Sequence, residues 1–289
     1  MHDATVSWRV IDDIRPLSSG SRRAAFPVDE AIVDAYQRDG VVHLPSAFPE
    51  WVDALRAGLD RNIASPDAYA YPSDNVGGNE PGRFFESYCN WQRIPEYLTF
   101  VLTSGAASLA AALMRSESAQ LFHEHSFAKE RGTRKATPWH QDLPYYCVDG
   151  SQTASIYVAL DAAPAATAPR FVRGSHLWGE TFRPRRFADG GDYPTPDPSA
   201  SAVPEIAESS PDIIVSSLEP GDALAFDFRT LHGSTDAAIE HRRRAFSTRW
   251  LGDDVTYRQR PNPTSPPLAD LGLEPGQRMR PDWFPVLWE

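Results

Sequence analysis

His140, Asp142 and His232 are the residues whose types and spacing could do chemistry. Two imidazoles and one carboxylate can hold a divalent iron on one face. The other face stays open for a co-substrate and dioxygen, as in non-haem Fe(II) oxygenases. His140-Gln141-Asp142 suits a strand end, because positions i and i+2 project to the same side of a strand. His232 must then arrive from a distant strand. The stretch before it reads that way: Gly221 opens a turn, an alternating apolar run extends to Phe228, and Leu231-His232-Gly233-Ser234 follows.

Arg243 lies eleven positions beyond His232, at the head of Ala245-Phe246-Ser247-Thr248-Arg249-Trp250, a further expected strand. A guanidinium presents a rigid fork of donors to a carboxylate, and the Ser234 hydroxyl can add one more bond. That pairing is what the distal carboxylate of 2-oxoglutarate requires. Arg243 sits between Arg242 and Arg244. Strand alternation turns those two outward if Arg243 points in.

The segments Lys129 to Thr133, Thr137 to Tyr146, Arg170 to His176 and His232 to Trp250 together resemble the phytanoyl-CoA dioxygenase family of Fe(II)/2-oxoglutarate oxygenases. The resemblance runs from about Leu121 to Asp254, with a weaker match in the N-terminal helices. It implies a mainly β fold with flanking helices around a double-stranded β-helix (jelly-roll, cupin-like) core. It implies iron on His140, Asp142 and His232, and 2-oxoglutarate on Arg243 and Ser234. Tyr157 falls where relatives carry an aromatic residue beside the co-substrate, and Lys129 is a further candidate to reach it. The chain departs from the family at Ala166 to Pro169, where relatives carry Asn-Gly, and at Arg173, where they carry Pro. Both changes fall at a turn near the pocket mouth and bear on substrate.

The elements that must position these residues divide the chain into a helical front, about 28–115, and a β-rich core, about 119–254, within one domain spanning 1–289. Val28, Ile32, Val33 and Tyr36 repeat at helical spacing up to Asp39, and Gly40 stops the helix. Val41 to Leu44 reads as a strand, Pro49 to about Ile63 as a second helix, and Pro66 to Arg83 as loop. Ile94 to Met114 reads as one or two core helices. From Gln120 onward, short apolar runs broken by Gly and Pro fit a jelly roll. The proline-rich stretch 183–211 is expected to form a lid, and the tail from Arg260 to wrap the outside.

The chain has 289 residues, 41% hydrophobic and 11% aromatic, ample for one sizeable core. A net charge of −11 argues against nucleic acid or an anionic membrane as partner. No apolar run is long enough to span a bilayer, and the N-terminus has no signal-peptide pattern. Cys89 and Cys147 lack metal-site spacing, so reduced thiols in a cytoplasmic protein are expected. Oligomeric state is not readable.

The expected partner is a small molecule, hydroxylated at a C–H bond with release of succinate and CO2. Desaturation, epimerisation or cyclisation would use the same cofactors, and a cupin-like metal protein without 2-oxoglutarate is the reading from another class. Asp142 argues against halogenation, since related halogenases carry a small residue there. Arg173, Arg183 and Tyr145 are candidates to touch substrate, with Arg185 and Arg186 nearby. His123 and His125 share one strand face. One is expected to line the pocket and neither to bind iron. His176 is expected to hold a loop, and His2, His43 and His241 to be structural or on the surface.

Overall fold

A computed structural model describes residues 24–66, 70–73, 82–186, 191–195, 197–268 and 271–289. Helix α1 (Glu30–Asp39) begins where the Asp29 side chain accepts the Ile32 N–H, satisfying one of the donors a helix start leaves free. It ends at Gly40, whose φ of 77° suits a residue without Cβ. The chain passes directly into β1 (Val41–Leu44). A single-turn 3-10 helix at Pro49–Trp51 leads into α2 (Val52–Ala64).

Within the stretch expected as loop, Ala70–Ser73 forms a strand, β2, paired antiparallel with β3 (Phe84–Tyr88). Edge pairing tolerates the proline at 72, which a central strand would not. The rest of the stretch from 67 to 81 lies outside the described residues. The Ala- and Leu-rich region is two helices, α3 (Pro95–Thr103) and α4 (Ala106–Met114).

The β-rich remainder contains β4 (Ala119–Lys129), β5 (Thr137–His140), β6 (Val148–Asp149), β7 (Thr153–Ala159), β8 (Arg170–Val172), β9 (Ile213–Val215), β10 (Ala223–Phe226), β11 (His232–Ser234), β12 (Arg243–Leu251), β13 (Thr256–Tyr257) and β14 (Val286–Trp288). The large antiparallel sheet runs β1-β10-β7-β12-β4-β3-β2, with β14 also on β4. A smaller sheet runs β5-β11-β8-β9. Strand alternation sorts the large sheet into two faces. On β12, Phe246 points toward the helices, its ring 4.5 Å from Tyr97 and 5.4 Å from Phe100. Arg243, Ser247 and Arg249 point the other way, toward the smaller sheet. The sheets meet through Phe226, whose ring lies 4.8 Å from His232 and 5.1 Å from Phe171. Facing antiparallel sheets are the expected double-stranded β-helix arrangement.

The C-terminal tail does not merely wrap the outside. Leu271, Met279 and Phe284 are buried in a cluster with Phe122 and Tyr146. Arg260 donates to the carbonyls of Leu143, Tyr146 and Val148. Its many prolines conceal apolar anchors that fill one end of the core. Among the described residues, no single helix is long and apolar enough to cross a membrane.

Candidate active site

His140 and His232 are directly paired across β5 and β11, and their rings lie 4.1 Å apart. Pro138 is tolerated because β5 is the edge of its sheet. Gly233 matters to this approach, since a Cβ there would sit 2.7 Å from the Thr137 carbonyl oxygen. Asp142 arrives by a route that strand alternation did not predict. The strand stops at His140, and Asp142 adopts helical backbone (φ −72°, ψ −40°) to open a 3-10 turn over Leu143–Tyr145.

The three ligand atoms lie within 4.8 Å of one another. Asp142 Oδ1 is 3.6 Å from His140 Nε2 and 3.7 Å from His232 Nε2. These are too long for hydrogen bonds. They fit donors sharing one ion, because two atoms each about 2.1 Å from a centre stand at most about 4.2 Å apart. His140 Nδ1 lies 2.9 Å from the Pro138 carbonyl, and His232 Nδ1 lies 2.9 Å from that of Thr230. Carbonyls only accept, so both Nδ1 atoms carry hydrogen and both Nε2 lone pairs face the centre. This donor set fits a divalent iron.

The electrostatics agree. Burial would raise the Asp142 carboxyl, but His232, His140 and Arg249 together hold it well below the usual carboxylate range. Burial, followed by His140, lowers His232 to about 3, which keeps it a neutral ligand. Asp142 Oδ2 faces away from the imidazoles, 3.5 Å from Arg249 Nη2 and 3.4 Å from Ser155 Oγ.

The expected co-substrate residues also assemble. Arg243 is buried, and Arg242 and Arg244 take outer acidic partners, Glu130 and Asp161. Arg243 donates to the Thr167 carbonyl and stands opposite Lys129 in the β12–β4 register. Burial, then Arg243, pushes Lys129 down to about 7, and its Nζ donates to the Lys135 carbonyl at 2.9 Å. Ser234 Oγ accepts the Thr137 N–H at 3.0 Å, which leaves its own hydrogen to donate. Tyr157 faces Ser247 in the neighbouring register.

Tyr145 and Arg183 line a cavity of about 190 Å³ together with Tyr193 and Arg260. The Tyr145 ring is 5.9 Å from that of His140. Its hydroxyl donates to the Arg185 carbonyl and accepts the Arg185 N–H. Gln141 holds the start of the same segment, donating to the Glu180 carbonyl and accepting the Phe182 N–H. Residues 187–190 and 196 of this stretch lie outside the described residues. Arg173 is not brought to this group; it pairs with Asp39 at the end of α1, 3.1 Å away. His176 holds a loop, as expected, with Nε2 3.1 Å from the Gln37 carbonyl.

Sequence reasoning did not single out Arg249. The signal was present, since Arg249 is an even number of strand positions from Arg243 and so shares its inward face.

Comparison with known proteins accords with this site. Among curated proteins, none matches the sequence. A solved structure described as the non-heme alpha ketoglutarate dependent carbocyclase SnoK from nogalamycin biosynthesis superposes with TM-score 0.68 at 21% identity, covering 93% of this chain and 100% of that one. The epimerase SnoN in complex with Fe3+, alpha ketoglutarate and nogalamycin RO gives 0.66 at 21%, covering 89% and 98%. EctD from S. alaskensis with 2-oxoglutarate and 5-hydroxyectoine gives 0.60 at 17%, covering 87% and 85%. These likenesses establish the fold. The phytanoyl-CoA dioxygenase (PhyH) family model matches residues 36–245, a span that takes in every metal and co-substrate candidate above, and the chain belongs to that family.

Proposed function

We propose that the protein is an Fe(II)- and 2-oxoglutarate-dependent dioxygenase that hydroxylates a C–H bond of a small organic molecule of specialised metabolism, releasing succinate and CO2. In this reading His140, Asp142 and His232 hold the iron. Arg243 and Ser234 take the distal carboxylate of 2-oxoglutarate, with Lys129 and Tyr157 beside them. The observation that carries it is the convergence of two Nε2 lone pairs on Asp142 Oδ1, each imidazole fixed through Nδ1.

Bound iron and 2-oxoglutarate supply the activation of dioxygen; the chain supplies position and shelter. Asp142 presents one oxygen to the metal because Arg249 and Ser155 occupy the other. Phe171 and Phe226 pack against His232 and keep water from that side. The described residues of 183–211 act as the lid of a single domain. Tyr145 and Arg183 meet substrate at its edge, and Arg173, paired with Asp39, is the outer candidate. Two free cysteines accord with a cytoplasmic setting.

One observation favours a second outcome at the same site. Two of the structural neighbours are described as a carbocyclase and an epimerase, so ring closure or epimerisation is the alternative to hydroxylation. Succinate formation that needs both Fe(II) and 2-oxoglutarate tests the shared chemistry. Its absence in iron-loaded protein would refute the proposal.

A further inference from the structure

The inward face of β4 and β12 carries polarity beyond the metal ligands, Arg243 and Lys129. His123 Nε2, His125 Nε2, Ser247 Oγ and Arg249 Nη1 are buried atoms without a hydrogen-bond partner among the described residues. They are grouped: Arg249 stands opposite His123, and Ser247 opposite His125, on neighbouring rungs of one ladder. Buried polar groups are as a rule hydrogen-bonded, so this grouping calls for a partner from outside the chain.

The two rungs divide by position. Ser247 lies between Arg243 and Arg249 and faces Tyr157 on its other side, which puts its rung on the path of 2-oxoglutarate. The His123–Arg249 rung lies further along the same face, where Arg249 touches the unliganded oxygen of Asp142 at 3.5 Å. It adjoins the candidate metal site through Asp142.

Hydrogen positions on that rung are constrained. His123 Nδ1 is 3.2 Å from the Glu124 carbonyl, which can only accept, so Nδ1 carries the hydrogen and Nε2 offers a lone pair. Burial, then Arg249, keeps the ring neutral by pushing it down to about 3. On Arg249, Nε already donates to the Tyr146 hydroxyl at 3.2 Å and Nη2 faces Asp142, which leaves Nη1 as a donor. An acceptor and a donor therefore stand side by side. A carboxylate or phosphate would satisfy Arg249 but set its own lone pairs against His123. A hydrocarbon would satisfy neither. A hydroxyl satisfies both, since it donates its hydrogen to His123 and accepts from Arg249. The rings of Phe122 and Tyr146, 4.8 and 5.3 Å from His123, give the subsite an aromatic border.

We infer that His123 and Arg249 form a substrate-recognition subsite that reads a substrate hydroxyl, His123 taking its hydrogen and Arg249 donating to its oxygen. The inference rests on the dioxygenase reading, because it places substrate beside the metal.

The test uses the full chain loaded with Zn(II), with and without saturating 2-oxoglutarate. The probes are 2-hydroxy-1-phenylethanone, its methyl ether, acetophenone and benzoate, and ligand-observed NMR gives each Kd. The hydroxy ketone is expected to bind about tenfold tighter than the ether or acetophenone, the size of one hydrogen bond to a buried or charged group. In His123→Phe, which keeps a ring in place, that preference should vanish while 2-oxoglutarate affinity is unchanged. Equal binding of the three ketones in wild type, or tighter binding of benzoate, would overturn the inference without needing any variant. Weakened 2-oxoglutarate binding in His123→Phe would also overturn it, by giving the rung to the co-substrate. Failure of wild type to bind 2-oxoglutarate at all would count against the dioxygenase reading, and the metal-only ketone series would still decide the subsite.

Discussion

Arg249 Nη2 lies 3.5 Å from Asp142 Oδ2, while Oδ1 of the same carboxylate faces both imidazoles at 3.6 and 3.7 Å. One carboxylate thus has its two oxygens assigned to different partners. Arg249 is buried and its charge offsets that of Asp142, so the pair needs no solvent. Removing an outer partner of a metal ligand commonly weakens metal affinity by about 10–100-fold. Arg249→Met is expected to raise the Kd for Fe(II), followed by competition against a chelator, by that factor, with Arg249→Lys falling between. Unchanged affinity in a folded Arg249→Met protein would show that Asp142 needs no such support.

Gly233 sets how closely β11 can approach β5. A Cβ at this position would meet the Thr137 carbonyl oxygen at 2.7 Å, a contact real Cβ atoms avoid. The paired residues one step away are His232 and His140. Gly233→Ala should part the two imidazoles and weaken Fe(II) binding at least about tenfold, with a smaller loss of Tm. Metal titration and thermal melting of the same sample separate the two effects. Wild-type metal affinity in this variant would mean that the strand spacing is not what holds the imidazoles together.

The proposed place of Lys129 beside 2-oxoglutarate predicts binding that depends on pH. Burial, followed by Arg243, lowers this lysine to about 7, so it is charged below that pH and largely neutral above it. A bound carboxylate favours the charged form. Binding above pH 7 must therefore take up a proton, and 2-oxoglutarate should bind more weakly at pH 8.5 than at pH 6.5. The sign for stability without ligand is opposite. Between about 7 and the unfolded value of about 10.4, the unfolded chain holds more protons, so stability rises with pH. Anaerobic calorimetry in buffers of different ionisation heat measures the uptake, and Lys129→Met should abolish it. A 2-oxoglutarate affinity that does not vary with pH would remove Lys129 from the site.

Phe284 tests the part of the fold that the sequence concealed. It is fully buried, its ring 5.5 Å from Phe122, and its carbonyl accepts from Gln120. Phe284→Ala should lose about 3–5 kcal/mol of stability, read by denaturant unfolding. A loss below about 1 kcal/mol would mean that the tail is only loosely applied.

What the sequence revealed and what it hid have physical causes. The triad was legible because His-x-Asp is local and the second histidine follows a turn and an apolar strand. The two inward cations of β12 differ in this respect. Arg243 was found by its spacing from His232, whereas Arg249 lies inside an apolar strand and shows its role only when alternation is carried six positions further. Asp142 was expected on the strand itself but reaches the centre through a helical turn, which a proline at 144 favours. The tail reads as proline-rich wrapping because Leu271, Met279 and Phe284 are too widely spaced to show a period. Ala70–Ser73 becomes a strand only because β3 is there to pair with it.

The most direct test of the central claim is anaerobic titration of the metal-free protein with Fe(II) and then 2-oxoglutarate, following the weak visible charge-transfer band of the chelate. Wild type should develop the band. His232→Ala should not, and Arg243→Ala should need far more 2-oxoglutarate, by about 30-fold or more if the lost charge pair is worth at least 2–5 kcal/mol. No band in folded, iron-loaded wild type would contradict the account and leave a cupin-like metal protein without 2-oxoglutarate chemistry in its place.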